Sequence, residues 1–89
     1  MKNNREISSS WAEDNQSLTK TFVFLSFEEA MRFMYGAVAF ISEHDHHPTW
    51  TNTYNKIEVK LCTHDVGNRV TEKDRVLAKY LDELFIEFN

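Results

Sequence analysis

The stretch Ser42-Glu43-His44-Asp45-His46-His47-Pro48-Thr49-Trp50 holds three of the four histidines in this 89-residue chain. The fourth, His64, follows a run that reads as a strand. Imidazole is the side chain best suited to donating and accepting protons near neutral pH. His46 and His47 are adjacent, so at a helix-to-strand junction they point in different directions. A third imidazole, from His64, would complete a pocket with two or more proton-transfer groups.

The residues alone leave other readings open. The histidines could be a solvated loop in which one imidazole caps helix carbonyls. His44, His46, His47 and His64 could also supply nitrogen ligands to a metal, although their spacing matches no standard zinc pattern. Cys62 is a candidate nucleophile by residue type, but a strand thiol with no activating neighbour in the sequence is ordinarily inert.

The elements that would position these groups follow from periodicity. Leu18 to Leu25 is rich in β-branched and aromatic residues and reads as a strand. Asp14 and Asn15 provide a turn before it, so Trp11 and this strand can form a first hairpin. Ser26 opens a helix, and Glu29 three residues on makes a capping box. Phe27, Ala30, Met31, Met34, Ala37, Val38 and Ile41 then form one helical stripe. Phe33, Tyr35 and Phe40 fall off that stripe, which suggests a surface buried by a second subunit. Pro48 ends any helix before it.

Trp50 to Tyr54 and Lys56 to Cys62 read as two more strands. In the second, Ile57, Val59 and Leu61 alternate with Lys56, Glu58 and Lys60, as in a sheet with one wet face. Asp65 to Asn68, with Gly67, is a loop. Thr71 and Asp74 mark a second helix start, and Leu77, Tyr80, Leu81, Leu84, Phe85 and Phe88 recur as its apolar stripe. The expected fold is α+β. It has two layers, a four-stranded antiparallel sheet with two main helices packed on one face, in the order ββα-ββα.

Composition limits the function classes. The length suits a single domain, expected over residues 11–89, with the polar residues 1–10 as a flexible arm. A net charge of -4 argues against direct nucleic-acid binding, which needs clustered Lys and Arg. A single cysteine excludes an internal disulfide and fits a reducing, cytoplasmic setting. No apolar run is long enough for a membrane span, and the N-terminal stretch has no apolar core of a signal peptide.

The motif pattern itself resembles a known family. His46-His47-Pro48, then Tyr54, His64 and Asp74 at their spacings, is similar to the signature of the pterin-4a-carbinolamine dehydratases. Tyr54-Asn55-Lys56, Thr63-His64 before a Gly-containing loop, and the Thr-Glu-Lys-Asp helix start at Thr71 resemble it too. So does Phe22-Val23-Phe24-Leu25-Ser26-Phe27, and the likeness spans roughly Trp11 to Phe88. It implies a hydro-lyase that dehydrates a 4a-hydroxytetrahydropterin to a quinonoid dihydropterin and so recycles tetrahydrobiopterin. It implies no metal and no organic cofactor, and a homodimer or homotetramer. In animals it also implies a second role, as dimerisation partner of a homeodomain transcription factor.

By the same resemblance, His46, His47 and His64 share the catalytic proton transfers. His47 is expected as acid toward the leaving hydroxyl, and His46 or His64 as base. Asp74 would orient an imidazole or fix the loop that carries His64. Pro48, Trp50 and Glu43 are supporting candidates, with Trp50 either walling the pocket or packing in the core. Two departures stand out. The family carries a charged residue four positions before the first motif histidine, where this chain has Ser42, with Glu43 next to it. Its animal members have an extra N-terminal helix for which residues 1–10 are too short and polar. The same pocket could also belong to a non-catalytic binding or oligomerisation module, or to a pterin-binding protein of molybdopterin metabolism.

Overall fold

The computed structural model describes residues 11–88, and the arm expected at residues 1–10 lies outside them. The described residues form four strands and three helices. These are β1 (Ala12–Glu13), β2 (Leu18–Val23), α1 (Phe27–Gly36), α2 (Val38–His44), β3 (Thr49–Thr53), β4 (Lys56–Leu61) and α3 (Glu72–Ile86). A 3-10 turn, His64–Val66, lies between β4 and α3. The sheet is antiparallel in the order β1-β2-β4-β3.

Strict alternation builds the two layers. Leu18, Lys20 and Phe22 of β2 and Ile57, Val59 and Leu61 of β4 turn to the buried side. The helices cover that face, and the core closes with Phe33, Ala37, Ile41, Leu77 and Leu81. The opposite face carries Thr19, Thr21, Lys56, Glu58 and Lys60 into solvent. The α+β two-layer fold expected from the periodicity is therefore present.

The first helix differs from its expectation in two ways. A single helix was expected through Ile41, but Ala37 separates α1 from α2. The amide of Ala37 is shared between the carbonyls of Phe33 and Met34. The break falls beside a glycine, a poor helix former, and against α3. There the Tyr80 hydroxyl donates to the Gly36 carbonyl at 3.3 Å, and a Cβ on Gly36 would already touch Leu84.

The second difference is the buried face. Phe33, assigned above to a partner surface, is fully buried, whereas Phe27 and Val38 of the expected stripe are 43% and 50% exposed. The Phe33 ring sits 5.0 Å from both Phe22 and Phe24. Ala30 and Ala37 flank it and let the helix approach the sheet closely enough to seat it. Aromatic size thus decided the rotation of the helix over the count of apolar positions. Tyr35, at 81% exposed, does lie on the open surface.

The caps follow the sequence closely. Ser26 Oγ accepts the Glu29 amide at 3.2 Å, but Glu29 returns to the Leu25 amide instead of that of Ser26. Thr71 and Asp74 form the complete reciprocal box at the start of α3. The β3–β4 hairpin is tied by Asn52, whose amide donates to the carbonyls of Tyr54 and Lys56 at 3.0 Å each. Tyr54 takes the left-handed backbone that this tight turn requires.

Candidate active site

The histidine segment begins where α2 stops. Asp45 adopts a left-handed conformation (φ 49°), and its amide bonds back to the carbonyls of Ile41 and Ser42. Asp and Asn reach this region more readily than other non-glycine residues because their short polar chains bond locally. The reversal throws His46 towards the start of α3 and leads through His47 and Pro48 into β3.

His46 is held tightly there. Its Nε2 donates to Asp74 Oδ1 at 2.6 Å, and the two side chains are 13% and 0% exposed. Asp74 Oδ2 accepts the Thr63 hydroxyl at 2.8 Å and the Thr71 amide at 2.9 Å. The Thr71 and Thr63 hydroxyls are 2.7 Å apart. The carboxylate that closes the capping box of α3 is thus also the group that aims the His46 ring. Burial pushes the Asp74 carboxyl up, but the hydrogen bonds from His46, Thr71 and Thr63 outweigh it and hold it below the usual carboxylate range. An ionised carboxylate only accepts hydrogen bonds, so Nε2 carries a proton and Nδ1 is the ring atom left for other work.

The other two motif histidines sit differently. His47 is 66% exposed and its Nδ1 is 4.0 Å from Asp45. It rims a cleft of about 220 Å³ with Val38, Ile41, Ser42, Pro48 and Trp50. His46 opens instead onto a cleft of about 290 Å³ whose walls include Phe40, His44, Val76 and Leu77. His64 lies on the surface in the 3-10 turn, where its Nδ1 meets Asn68 Oδ1 at 2.8 Å. Thr63, one residue earlier, is buried and bonded to Asp74, so the same carboxylate grips the segment that presents His64.

The supporting candidates divide in the same way. Pro48 and Trp50 line the His47 cleft, and Trp50 also packs against the core. Ser42 is on that wall as well, whereas the neighbouring Glu43 is exposed on α2 and lines neither cleft. His44 stands on the wall of the His46 cleft, with its Nδ1 on the Phe40 carbonyl at 3.0 Å and its ring stacked on Phe40. Among the described residues, no three His, Cys, Asp or Glu side chains stand close enough to hold a metal ion. Sequence reasoning missed Thr63 as the second ligand of the Asp74 carboxylate and Asn68 as the partner of His64. A threonine directly before a motif histidine was the available signal for the first.

Comparison with known proteins agrees with this architecture. The family model described as Pterin 4 alpha carbinolamine dehydratase matches residues 2–84. A protein of Prochlorococcus marinus, provisionally named a pterin-4-alpha-carbinolamine dehydratase, is 47% identical over 76 residues, covering 84% of this chain and 78% of its own. One of Opitutus terrae with the same provisional name is 43% identical over 74 residues, covering 83% and 76%. Among solved structures, a transcriptional coactivator/pterin dehydratase from Brucella melitensis superposes with a TM-score of 0.79 at 36% identity, covering 83% of this chain and 80% of its own. A pterin dehydratase-like protein identified as a RuBisCO assembly factor in the alpha-carboxysome gives 0.71 at 25% identity, covering 85% and 89%. With a family match over nearly the whole chain and relatives this similar, the protein belongs to the pterin-4a-carbinolamine dehydratase family.

Proposed function

We propose that the protein dehydrates a 4a-hydroxytetrahydropterin to the quinonoid dihydropterin and water, as a cytoplasmic homo-oligomeric hydro-lyase that recycles tetrahydrobiopterin. In this reaction a base removes the proton on nitrogen 5, and the freed electron pair forms the bond to carbon 4a. The carbon–oxygen bond at 4a breaks as an acid protonates the departing hydroxyl. No electron is gained or lost, so imidazoles suffice as the reacting groups. His47 serves as the acid, and His46 or His64 as the base. The observation that carries this reading is the Asp74 carboxylate, which binds His46 directly and the His64 segment through Thr63.

A second reading has its own support. Ser42 stands on the cleft wall where the family pattern has a charged side chain, and one structural neighbour is described as an assembly factor. On this reading the chain is a binding or oligomerisation module without efficient chemistry. Exposed Tyr35, Val38 and Leu25 supply apolar surface for such contacts.

The deciding experiment follows the ultraviolet absorbance of freshly generated 4a-hydroxytetrahydropterin with and without the protein. General acid–base assistance supplies about 10²- to 10⁴-fold, so an acceleration in that range, lost in His47→Ala, is expected. No acceleration from folded protein would favour the module reading.

A further inference from the structure

The two imidazoles anchored near Asp74 meet different kinds of partner. The Nε2 of His46 faces a carboxylate. His64 presents Nδ1 to the amide oxygen of Asn68 at 2.8 Å. An amide oxygen accepts and never donates, so this bond requires the proton of a neutral His64 to sit on Nδ1. Its Nε2 is then a bare lone pair.

The other contact of the ring does not compete. Cys62 Sγ lies 3.9 Å from Nε2 and 4.0 Å from Nδ1. A sulfur equidistant from both nitrogens cannot select between them, and thiols are weak donors and acceptors. Of these two contacts, only the one with Asn68 distinguishes the ring nitrogens.

The backbone serves the same end. Gly67 and Asn68 both take left-handed conformations, with φ 81° and 58°. Asn tolerates this region better than other side-chain-bearing residues. The turn is fastened on either side, since the amide of Gly67 bonds to the His64 carbonyl and Thr63 pairs with Arg69 in both directions. This closed loop returns the Asn68 side chain to the ring four residues earlier.

We propose that Asn68 is a positioning residue that fixes His64 as its Nδ1–H tautomer, so that Nε2 is the basic atom presented to a bound ligand. The functional part rests on the dehydratase reading, with Nε2 of His64 taking the proton from nitrogen 5 of the pterin. Asn68 touches no substrate in this scheme and acts only through His64.

The test pairs two substitutions with two readouts. Asn68→Gly removes the amide and keeps a residue at ease in the left-handed region. Asn68→Asp keeps an oxygen that accepts the same N–H. Long-range 1H–15N NMR spectra of the imidazoles, recorded at a pH where His64 is neutral, report the tautomer without substrate. The expected result is Nδ1–H in the parent and in Asn68→Asp, with a shift towards Nε2–H in Asn68→Gly. A parent His64 already in the Nε2–H form would overturn the assignment. In the dehydration assay, Asn68→Gly is expected to lower kcat about 3- to 10-fold at little change in KM, with recovery in Asn68→Asp. An active parent whose kcat is unmoved by Asn68→Gly would overturn the functional part. A parent with no dehydratase activity would overturn the dehydratase reading and with it the proton transfer, while the spectra still decide the tautomer.

Discussion

Asp74 and Asp82 lie on the same helix, about two turns apart, and both are buried. Each makes one contact of 2.6 Å with a basic side chain, Asp74 with His46 and Asp82 with Lys20. Each also accepts a second donor from elsewhere in the chain, as Asp82 does from the Trp11 indole at 3.0 Å. What separates them is the far side of the basic partner. The ammonium of Lys20 is enclosed, 4.7 Å from the Phe22 ring and 5.7 Å from that of Trp11, with the side chain 5% exposed. His46 has a second ring nitrogen and borders a cleft. The same pairing is thus a staple where the base is sealed and a site where the base still faces outward.

The largest expected effect tests the staple. Asp82→Ala removes the carboxylate 2.6 Å from the buried Lys20 ammonium, which costs about 3–5 kcal/mol of stability. Urea unfolding followed by tryptophan fluorescence measures it. Burial already pulls the Lys20 ammonium below its ordinary value, with Asp82 offsetting part of that. Pairing Asp82→Leu with Lys20→Met is therefore expected to cost less than Asp82→Ala alone. A loss below about 1 kcal/mol for Asp82→Ala would break the comparison at this end.

Asp74→Asn tests the other end. The new amide can place a donor where His46 also donates, so the ring loses its enforced orientation. Turnover in the dehydration assay is expected to fall by about 10²-fold, while stability drops by about 1–3 kcal/mol. If the stability loss equalled that of Asp82→Ala and turnover were unchanged, both carboxylates would be staples. Thr63→Val sharpens the distinction. It removes the hydroxyl that links Asp74 to the His64 segment at nearly constant volume. The expected cost is about 1–2 kcal/mol by thermal unfolding, with a smaller loss of turnover than Asp74→Asn.

The smallest effect is in the pH dependence of stability. The folded Asp74 carboxyl titrates below the usual carboxylate range, so the folded state binds its proton less readily than the unfolded one. Its contribution is complete well above pH 3.8 and is lost as pH falls through the folded value. The drop in stability below about pH 4 should accordingly be shallower in Asp74→Asn, which acid titration of circular dichroism can follow.

Much of the frame was legible because it is local. The alternation of Lys56 to Leu61 and the Thr71–Asp74 box involve neighbours in sequence, and each element formed where its pattern placed it. The Phe33 face was not legible, because a periodic count weighs every apolar residue alike, whereas packing against Phe22 and Phe24 rewards the largest ring. Alternation with Leu18 and Phe22 puts Lys20 on the inner face of β2, but its partner Asp82 lies 62 positions away, and nothing local names it. At the candidate site, the family resemblance supplied the histidines and Asp74. The link through Thr63 and the grip of Asn68 on His64 depend on how one short loop closes, which residue types alone do not specify.

The sheet order also bears on how the molecule assembles. β3 and β4 are joined by a turn of two residues, Tyr54 and Asn55, whereas β2 reaches β4 only after α1, α2 and β3 have intervened. Closing the short loop costs less chain entropy than closing the long one, so the hairpin is expected to form before the β2–β4 pairing. Asp74 joins His46 to Thr63 only once α3 has docked. Substitution of Asn52, which ties the hairpin turn, is therefore expected to slow refolding, whereas Asp74→Asn chiefly speeds unfolding. Stopped-flow kinetics on these two variants checks whether the hairpin closes before the candidate site, and equal effects on the refolding rate would count against that order.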